Sequence, residues 1–212
     1  DSPAIAVDAD QAPLLVTTAN GRRIKADRLV LATGPYGTSL IGLDQPIQRR
    51  LRTIALIEVD GPGGGGDGPG HELPSLSARE FLHPSPVDPK LEEAYWVPPV
   101  PYPDGGTYLK IGGNSLPMIT ATDNDDIGSW FRSGGSAEEA AALFGLACDL
   151  LPEHRLRLAD HKPCVVSYTG DQQPIIERIS DRIVLALAGN GSGATTGDEV
   201  GRRAAALALT GD

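Results

Sequence analysis

Apolar and polar positions change period several times along this chain, and each change marks an element. LLVTTA, from Leu14 to Ala19, closed by Asn20-Gly21, has the β-branched content and turn chemistry of a strand running into a tight turn. RIKADRLVLATG follows. Its apolar end halts at Gly34-Pro35, the form of a buried strand that delivers its carboxyl end to a ligand crevice. From about Pro46 to Ser167, strand-like runs (TIALIEV, TYLKIGG, CVVSY) are separated by many prolines and long loops, which predicts an antiparallel-rich sheet rather than repeated βα units. Within this stretch, Ser136 and Glu139 form a capping-box pattern ahead of AAALFGLACDLL. Leu143, Ala147, Leu150 and Leu151 recur there at helical spacing until Pro152 stops the run. The segment Arg182–Leu209, RIVLALAGNGSGATTGDEVGRRAAALAL, reads as an apolar strand, a glycine loop and an amphipathic helix. The pattern starts that helix near Thr196, with Asp198 and Glu199 in its first turn and Val200, Ala204, Leu207 and Ala208 as its buried stripe.

The strand–glycine loop–helix junction is built to hold a ligand. Gly189, Gly191 and Gly193 lack the Cβ that would keep backbone away from a planar or anionic group, and the unpaired amides of the next helix start offer hydrogen bonds. A dinucleotide fingerprint needs a βαβ unit of roughly thirty residues around its glycine loop, and only one helix follows here. The loop therefore reads as a closing contact, not an opening fingerprint. GPGGGGDGPG, Gly61 to Gly70, lacks the Gly-Lys-Ser/Thr of a phosphate loop and reads as a flexible surface loop.

At 212 residues the chain can form one large domain or two lobes. A formal net charge of −10 with no basic run excludes a nucleic-acid partner and an acidic membrane surface. No apolar stretch of spanning length and no signal-peptide pattern is visible, and the expected compartment is the cytoplasm. Two cysteines in a chain of this length make no disulfide framework; Cys148 reads as a packed, reduced thiol. His71, His83, His154 and His161 show no metal-ligand spacing, so no metal is expected.

Three separated signatures, ADRLVLATGPYG, KPCVVSYTGDQQPII and RIVLALAGNGSGATTGDEVGRRAAALALTG, occur in a telling order and spacing. Together they resemble the carboxyl-terminal part of FAD-dependent oxidoreductases of the D-amino-acid oxidase and monomeric sarcosine oxidase family. The resemblance spans nearly the whole chain, is strongest from Lys162 to Gly211 and weakest between Gly61 and Leu91. It implies an α/β plus β-rich (α+β) fold: a split FAD-binding domain with an inserted, largely antiparallel substrate-binding sheet. On that pattern residues 1–44 are the carboxyl-terminal part of the first FAD-domain segment, 45–167 the substrate-binding domain, and 168–212 the final FAD-domain strand, glycine loop and helix. Family members begin with a G-x-G-x-x-G unit and an acidic ribose partner. The chain starts at Asp1 rather than Met, and neither feature lies ahead of LLVTTA. The resemblance thus implies that an amino-terminal flavin-domain segment is needed to enclose the cofactor.

Site residues follow from the same resemblance. Ala32, Thr33, Gly34, Pro35 and Tyr36 match a loop that contacts the central part of FAD, a tight turn after a buried strand being the competing reading. Gly189, Asn190, Gly191, Ser192, Gly193, Ala194 and Thr195 match the loop that approaches the flavin ring system, the alternative being a helix-entry turn. Cys164 matches a cysteine that bonds covalently to the ring in sarcosine-oxidase-like members; a buried free thiol is the other reading. Lys110 matches a lysine proposed to promote oxygen reduction, against an edge-strand lysine. Tyr95, Trp96 and Tyr102 could form an aromatic wall on the substrate face or serve as core or interface aromatics, and Asn114 stands near the branch's active-site histidine. Thr195 stands where the sarcosine branch has a carboxylate-binding lysine, and Val166 replaces an expected tyrosine, which weakens a sarcosine assignment. The implied activity is oxidation of a C–N bond of a small amine or amino acid by hydride transfer to FAD. A non-catalytic binding module and a 2-hydroxy-acid dehydrogenase of the same flavin family stay open beside it.

Overall fold

A computed structural model describes residues 2–43, 45–60, 73, 75–78, 91–115 and 118–210. The Gly61–Gly70 run lies outside the described residues. The chain is a mixed α/β protein with antiparallel sheets, and it divides into two compact units. One combines residues 1–49 with 166–212; the other is continuous from Arg50 to Val165.

The first unit holds two small sheets. β1 (Ala4–Asp8), β2 (Leu14–Thr18) and β3 (Arg23–Ala26) form an antiparallel meander. Gly21, with a φ of 81°, turns the chain between β2 and β3 at the Asn-Gly pair. The second sheet has the order β11 (Ile175–Ser180), β12 (Ile183–Leu187), β4 (Leu29–Leu31). β12 is its buried centre, antiparallel to β11 and parallel to β4. Ile183, Leu185 and Leu187 pack with Leu14 and Leu31, while Val184 packs with Ala204 and Ala208 of α3 (Gly193–Leu209). A strand buried on both faces reads as a continuous apolar run, which is why RIVLALA shows no alternation. β4 differs from the fully buried strand expected of LVLATG. Leu31 is buried, but Val30 keeps 38% of its surface exposed, because β4 is bonded along one side only among the described residues.

The second unit is built on a sheet of order β10 (Arg155–Tyr168), β5 (Gln48–Asp60), β8 (Thr107–Ser115), β7 (Leu91–Pro101), β6 (Leu76–Ala78), with β9 (Ile119–Ala121) also on β5. β5 with β8 and β7 with β8 are antiparallel. Ala55, Ile57, Trp96, Leu109 and Ile111 face α2 (Ala137–Leu150), whose Ala140, Leu143, Leu146 and Ala147 complete the core. Ser136 caps α2 by accepting from the Glu139 N–H at 3.1 Å, as the S-x-x-E spacing predicts. The reciprocal half differs, since the Ser136 N–H donates to Thr53 Oγ1 at 2.9 Å. Of the stripe read from the sequence, Leu143, Ala147 and Leu151 are buried, while Leu150, at the last turn, is exposed.

Two helix assignments change. α3 begins at Gly193 rather than near Thr196, so its first turn holds no acidic residue and Asp198 and Glu199 fall in the second. Ser192 already accepts from the Thr195 and Thr196 amides, which closes the helix over the glycines. α1 (Asn124–Ser133) was not anticipated at all. Its capping signal was present: Asp123 accepts from the Asp126 N–H, and Asp126 accepts from both the N–H and the hydroxyl of Thr122. Ile127 is its one fully buried residue, so the chain carries almost no apolar period there.

Candidate functional site

In the first unit, the parallel pairing of β4 with β12 decides the geometry. Leu29 lies beside Ile183 and Leu31 beside Leu185, so both strands deliver their carboxyl ends to the same edge of the sheet. The loop Ala32–Tyr36 and the loop Gly189–Thr195 leave from that edge, where ligands of open α/β sheets sit. After β4, Gly34 turns at a φ of 57° into a short 3-10 turn with Pro35 next. The Thr33 hydroxyl donates to the Gly37 carbonyl and closes the loop from below. Ala32 and Tyr36 are exposed, with Thr33, Gly34 and Pro35 half-buried between them.

The glycine loop is shaped by contact. A Cβ on Gly189 would lie 2.9 Å from the Gly193 Cα, so only glycine lets α3 start this close to the end of β12. Gly191, at a φ of 80°, lies against the Tyr168 ring. Asn190 has a structural task. Its backbone N–H donates to the Ser167 carbonyl at 3.0 Å, its carboxamide oxygen accepts from the Thr169 N–H and hydroxyl, and its NH2 donates to the Ala188 carbonyl at 2.7 Å. Asn190 therefore staples the loop to the end of β10. Gly193, Ala194 and Thr195 form an exposed first turn, and a Cβ on Gly193 would meet open space. An uncapped helix start without acidic side chains suits an anionic or electron-rich ligand edge. These features fit a flavin: two glycine-shaped loops at one edge, with free helix-start geometry between them.

In the second unit, strand alternation separates the aromatic residues. Tyr95 pairs with Gly112, and Lys110 precedes Gly112 by two residues, so Tyr95, Lys110 and Asn114 share the sheet face opposite α2. The Lys110 Nζ lies 5.8 Å from the Tyr95 ring centroid. Room for that ring comes from Gly112, where a Cβ would lie 2.8 Å from the Tyr95 hydroxyl. Asn114 is buried. Trp96 points the other way into the core beneath α2 and does not join Tyr95 in a wall. Tyr102 sits at the β7–β8 hairpin, edge-on to Tyr108 with centroids 5.3 Å apart. Burial, and then Asp104, push its hydroxyl above the ordinary range.

Cys164 is half-buried and free, as is Cys148. Burial raises the Cys164 thiol above its ordinary value, opposed by Lys110, the Val165 N–H and Arg52, while Glu139 adds to the rise. Arg52, a buried guanidinium on β5, belongs to this cluster. Sequence reading missed it. Its visible signal is an arginine standing directly ahead of the strand-like run TIALIEV.

The sequence profile of the FAD dependent oxidoreductase family DAO matches residues 1–207. This chain belongs to that family. Among solved structures, glycine oxidase from Geobacillus kaustophilus superposes with a TM-score of 0.64 at 14% identity, covering 98% of this chain and 48% of that one. Fructosyl amine:oxygen oxidoreductase (Amadoriase I) from Aspergillus fumigatus gives 0.66 at 18% identity, covering 99% and 45%. L-proline dehydrogenase from P. horikoshii gives 0.62 at 17%, covering 100% and 50%. The likeness is one of fold, and the chain spans about half the length of these structures. No curated protein sequence matches it. Among the described residues, no helix is long and apolar enough to cross a membrane.

Proposed function

We propose that this chain supplies the closing flavin contacts and the substrate face of a flavoprotein that oxidises a C–N bond of a small amine or amino acid. When bound, FAD supplies the hydride acceptor. Ala32 to Tyr36 and Gly189 to Thr195 would hold it, with the uncapped amides at the start of α3 offering hydrogen bonds and Asn190 keeping the loop in shape. In the Arg50–Val165 unit, Tyr95, Tyr102 and Asn114 line the substrate face in this reading, and Lys110 provides a fixed positive charge where negative charge develops on oxygen. Cys164 is the proposed attachment point to the ring. Thr195 offers no cation to a substrate carboxylate, so the substrate class is drawn as amines and amino acids at large rather than sarcosine.

The observation that carries this reading is the parallel β4–β12 pair, which brings two sequence-distant glycine loops to one edge. Further support comes from family membership over residues 1–207. The adenine and pyrophosphate contacts are assigned to an amino-terminal flavin-domain segment bearing G-x-G-x-x-G. Flavin absorbance after gel filtration tests both parts. The expected result is little flavin on the 212-residue chain and stoichiometric flavin on a protein that joins it to such a segment. Tight binding by the chain alone refutes the need for the segment; a joined, folded protein without flavin refutes the FAD reading.

A further inference from the structure

The Trp130 indole N–H donates at once to the Arg52 carbonyl of β5 and the Cys164 carbonyl of β10, each at 3.1 Å. One side chain from α1 thus bridges two strands at the two residues that interact electrostatically in the Cys164 cluster. The next turn of chain repeats the contact one residue along. Gly135, at a φ of 93°, lies so close that a Cβ there would be 3.1 Å from Thr53 Oγ1 and 3.3 Å from the Pro163 nitrogen. The Ser136 N–H then donates to Thr53 Oγ1. α1 and its link to α2 therefore close on Arg52-Thr53 and Pro163-Cys164 together.

We propose that Trp130 is a positioning residue for Cys164, holding its backbone so that the thiol keeps its place and its partial shielding from solvent. The clamp is built from neutral groups. The charged groups around the thiol are Lys110 on β8, Arg52 on β5 and Glu139 on α2, and burial outweighs them in raising its pKa. Loss of the indole N–H removes the one donor that the two strand carbonyls share, loosens the β5–β10 contact and admits water to the thiol. Wetting relieves the burial that keeps Cys164 protonated, so more thiolate forms near neutral pH.

The experiment is alkylation of the intact chain by iodoacetamide across pH 6–10 (a range of about four units), read separately at Cys164 and Cys148 by peptide mass spectrometry. Trp130→Phe should raise the Cys164 rate near pH 7.5 by roughly tenfold and shift its pH profile downward, leaving Cys148 unchanged. Trp130→His should restore the profile, because the histidine Nε2 occupies the same ring position as the indole nitrogen. An unchanged Cys164 profile in Trp130→Phe, or equal increases at both cysteines, overturns the proposal. Should the variant fail to fold, the unaltered chain decides. On alkylation of Cys164 the Trp130 indole N–H resonance should move while that of Trp96 stays, and an unmoved Trp130 signal overturns the proposal. The functional consequence rests on the reading of Cys164 as the flavin attachment point, where a C–S bond would replace an S–H and a C–H bond and the two electrons and two protons released would pass to oxygen as the external oxidant. In the flavin-loaded protein, flavin should survive acid precipitation, be released by Cys164→Ala, and be partly released by Trp130→Phe. Freely extracted flavin in the unaltered protein overturns the attachment reading alone, since the thiol profile judges Trp130 independently.

Discussion

Gly189 lies where the first turn of α3 comes back against the end of β12, and a methyl group there would sit 2.9 Å from the Gly193 Cα. Both partners are backbone, which yields little. Gly189→Ala should therefore destabilise the protein by about 1–3 kcal/mol in urea unfolding and weaken flavin retention further, since the displaced turn is the proposed flavin contact. An unchanged midpoint would show that the loop relaxes freely. In the proposed function Lys110 acts through its charge. On that reading, Lys110→Met in the flavin-loaded protein should slow reaction of reduced flavin with oxygen by about a hundredfold or more while anaerobic reduction changes less. Stopped-flow measurement of the two half-reactions decides, and a collapse of reduction alone would move Lys110 to substrate handling. Single residues were legible to different degrees. The glycines were readable because a missing Cβ has one geometric meaning. Nearness in sequence groups Trp96 with Tyr95, although period-two alternation sends neighbours to opposite faces. Asn190 in a glycine loop reads as a ligand contact until its partners across 21 residues are seen.

α3 shows how an element's ends depend on partners that a local pattern does not contain. Its last carbonyls are capped from outside: Arg28 donates to Ala208 and Leu209, and Arg178 to Leu207. No basic residue stands in its own last turn, so nothing within the helix announced this end. The sequence pattern places its start near Thr196 because Asp198 and Glu199 then fall in the first turn, yet the helix begins at Gly193, whose Cα lies close against Gly189. With Asp198 and Glu199 in the second turn, Glu199 works as an ion-pair hub instead. Arg202 holds it at 2.7 and 2.8 Å and Arg203 at 2.7 Å, and together they lower its carboxyl from 4.5 to about 2. Because the folded-state value is depressed, this contribution to helix stability is complete above pH 4.5 and is lost as pH falls toward 2. All three side chains keep half or more of their surface exposed, so salt should weaken the triad. An NMR titration of the Glu199 carboxyl carbon should give a midpoint near 2 in low salt, returning toward 4.5 in the Arg202→Ala/Arg203→Ala double variant. A midpoint near 4.5 in the unaltered chain would mean that the pairs do not persist in solution.

Across the whole chain, the broad order of α/β, β-rich and α/β segments was legible because apolar runs and their turn residues repeat the same rules in each part. The way distant segments share a core was not, since no local window contains both halves of a parallel pair. β4 and β12 are separated by about 150 residues of sequence yet form one ladder. Leu14 and Leu31 come from the first segment of their unit and Ile183, Leu185 and Leu187 from the last, so neither segment carries a core alone. Arg182 adds to the join by donating to the Gln11 and Ala9 carbonyls. The continuous Arg50–Val165 unit, by contrast, draws all of Ala55, Ile57, Trp96, Leu109, Ile111 and Leu143 from within itself. A fragment of residues 50–165 should therefore fold by itself and melt cooperatively, whereas a fragment of residues 1–49 should remain unfolded. Mixing the 1–49 fragment with a 166–212 peptide should recover structure, because only together do they bury the faces of β12 and β4. Circular dichroism and amide-proton dispersion measure each case. A disordered 50–165 fragment, or a 1–49 fragment ordered without its partner, would show that the cores are not divided as the buried side chains indicate.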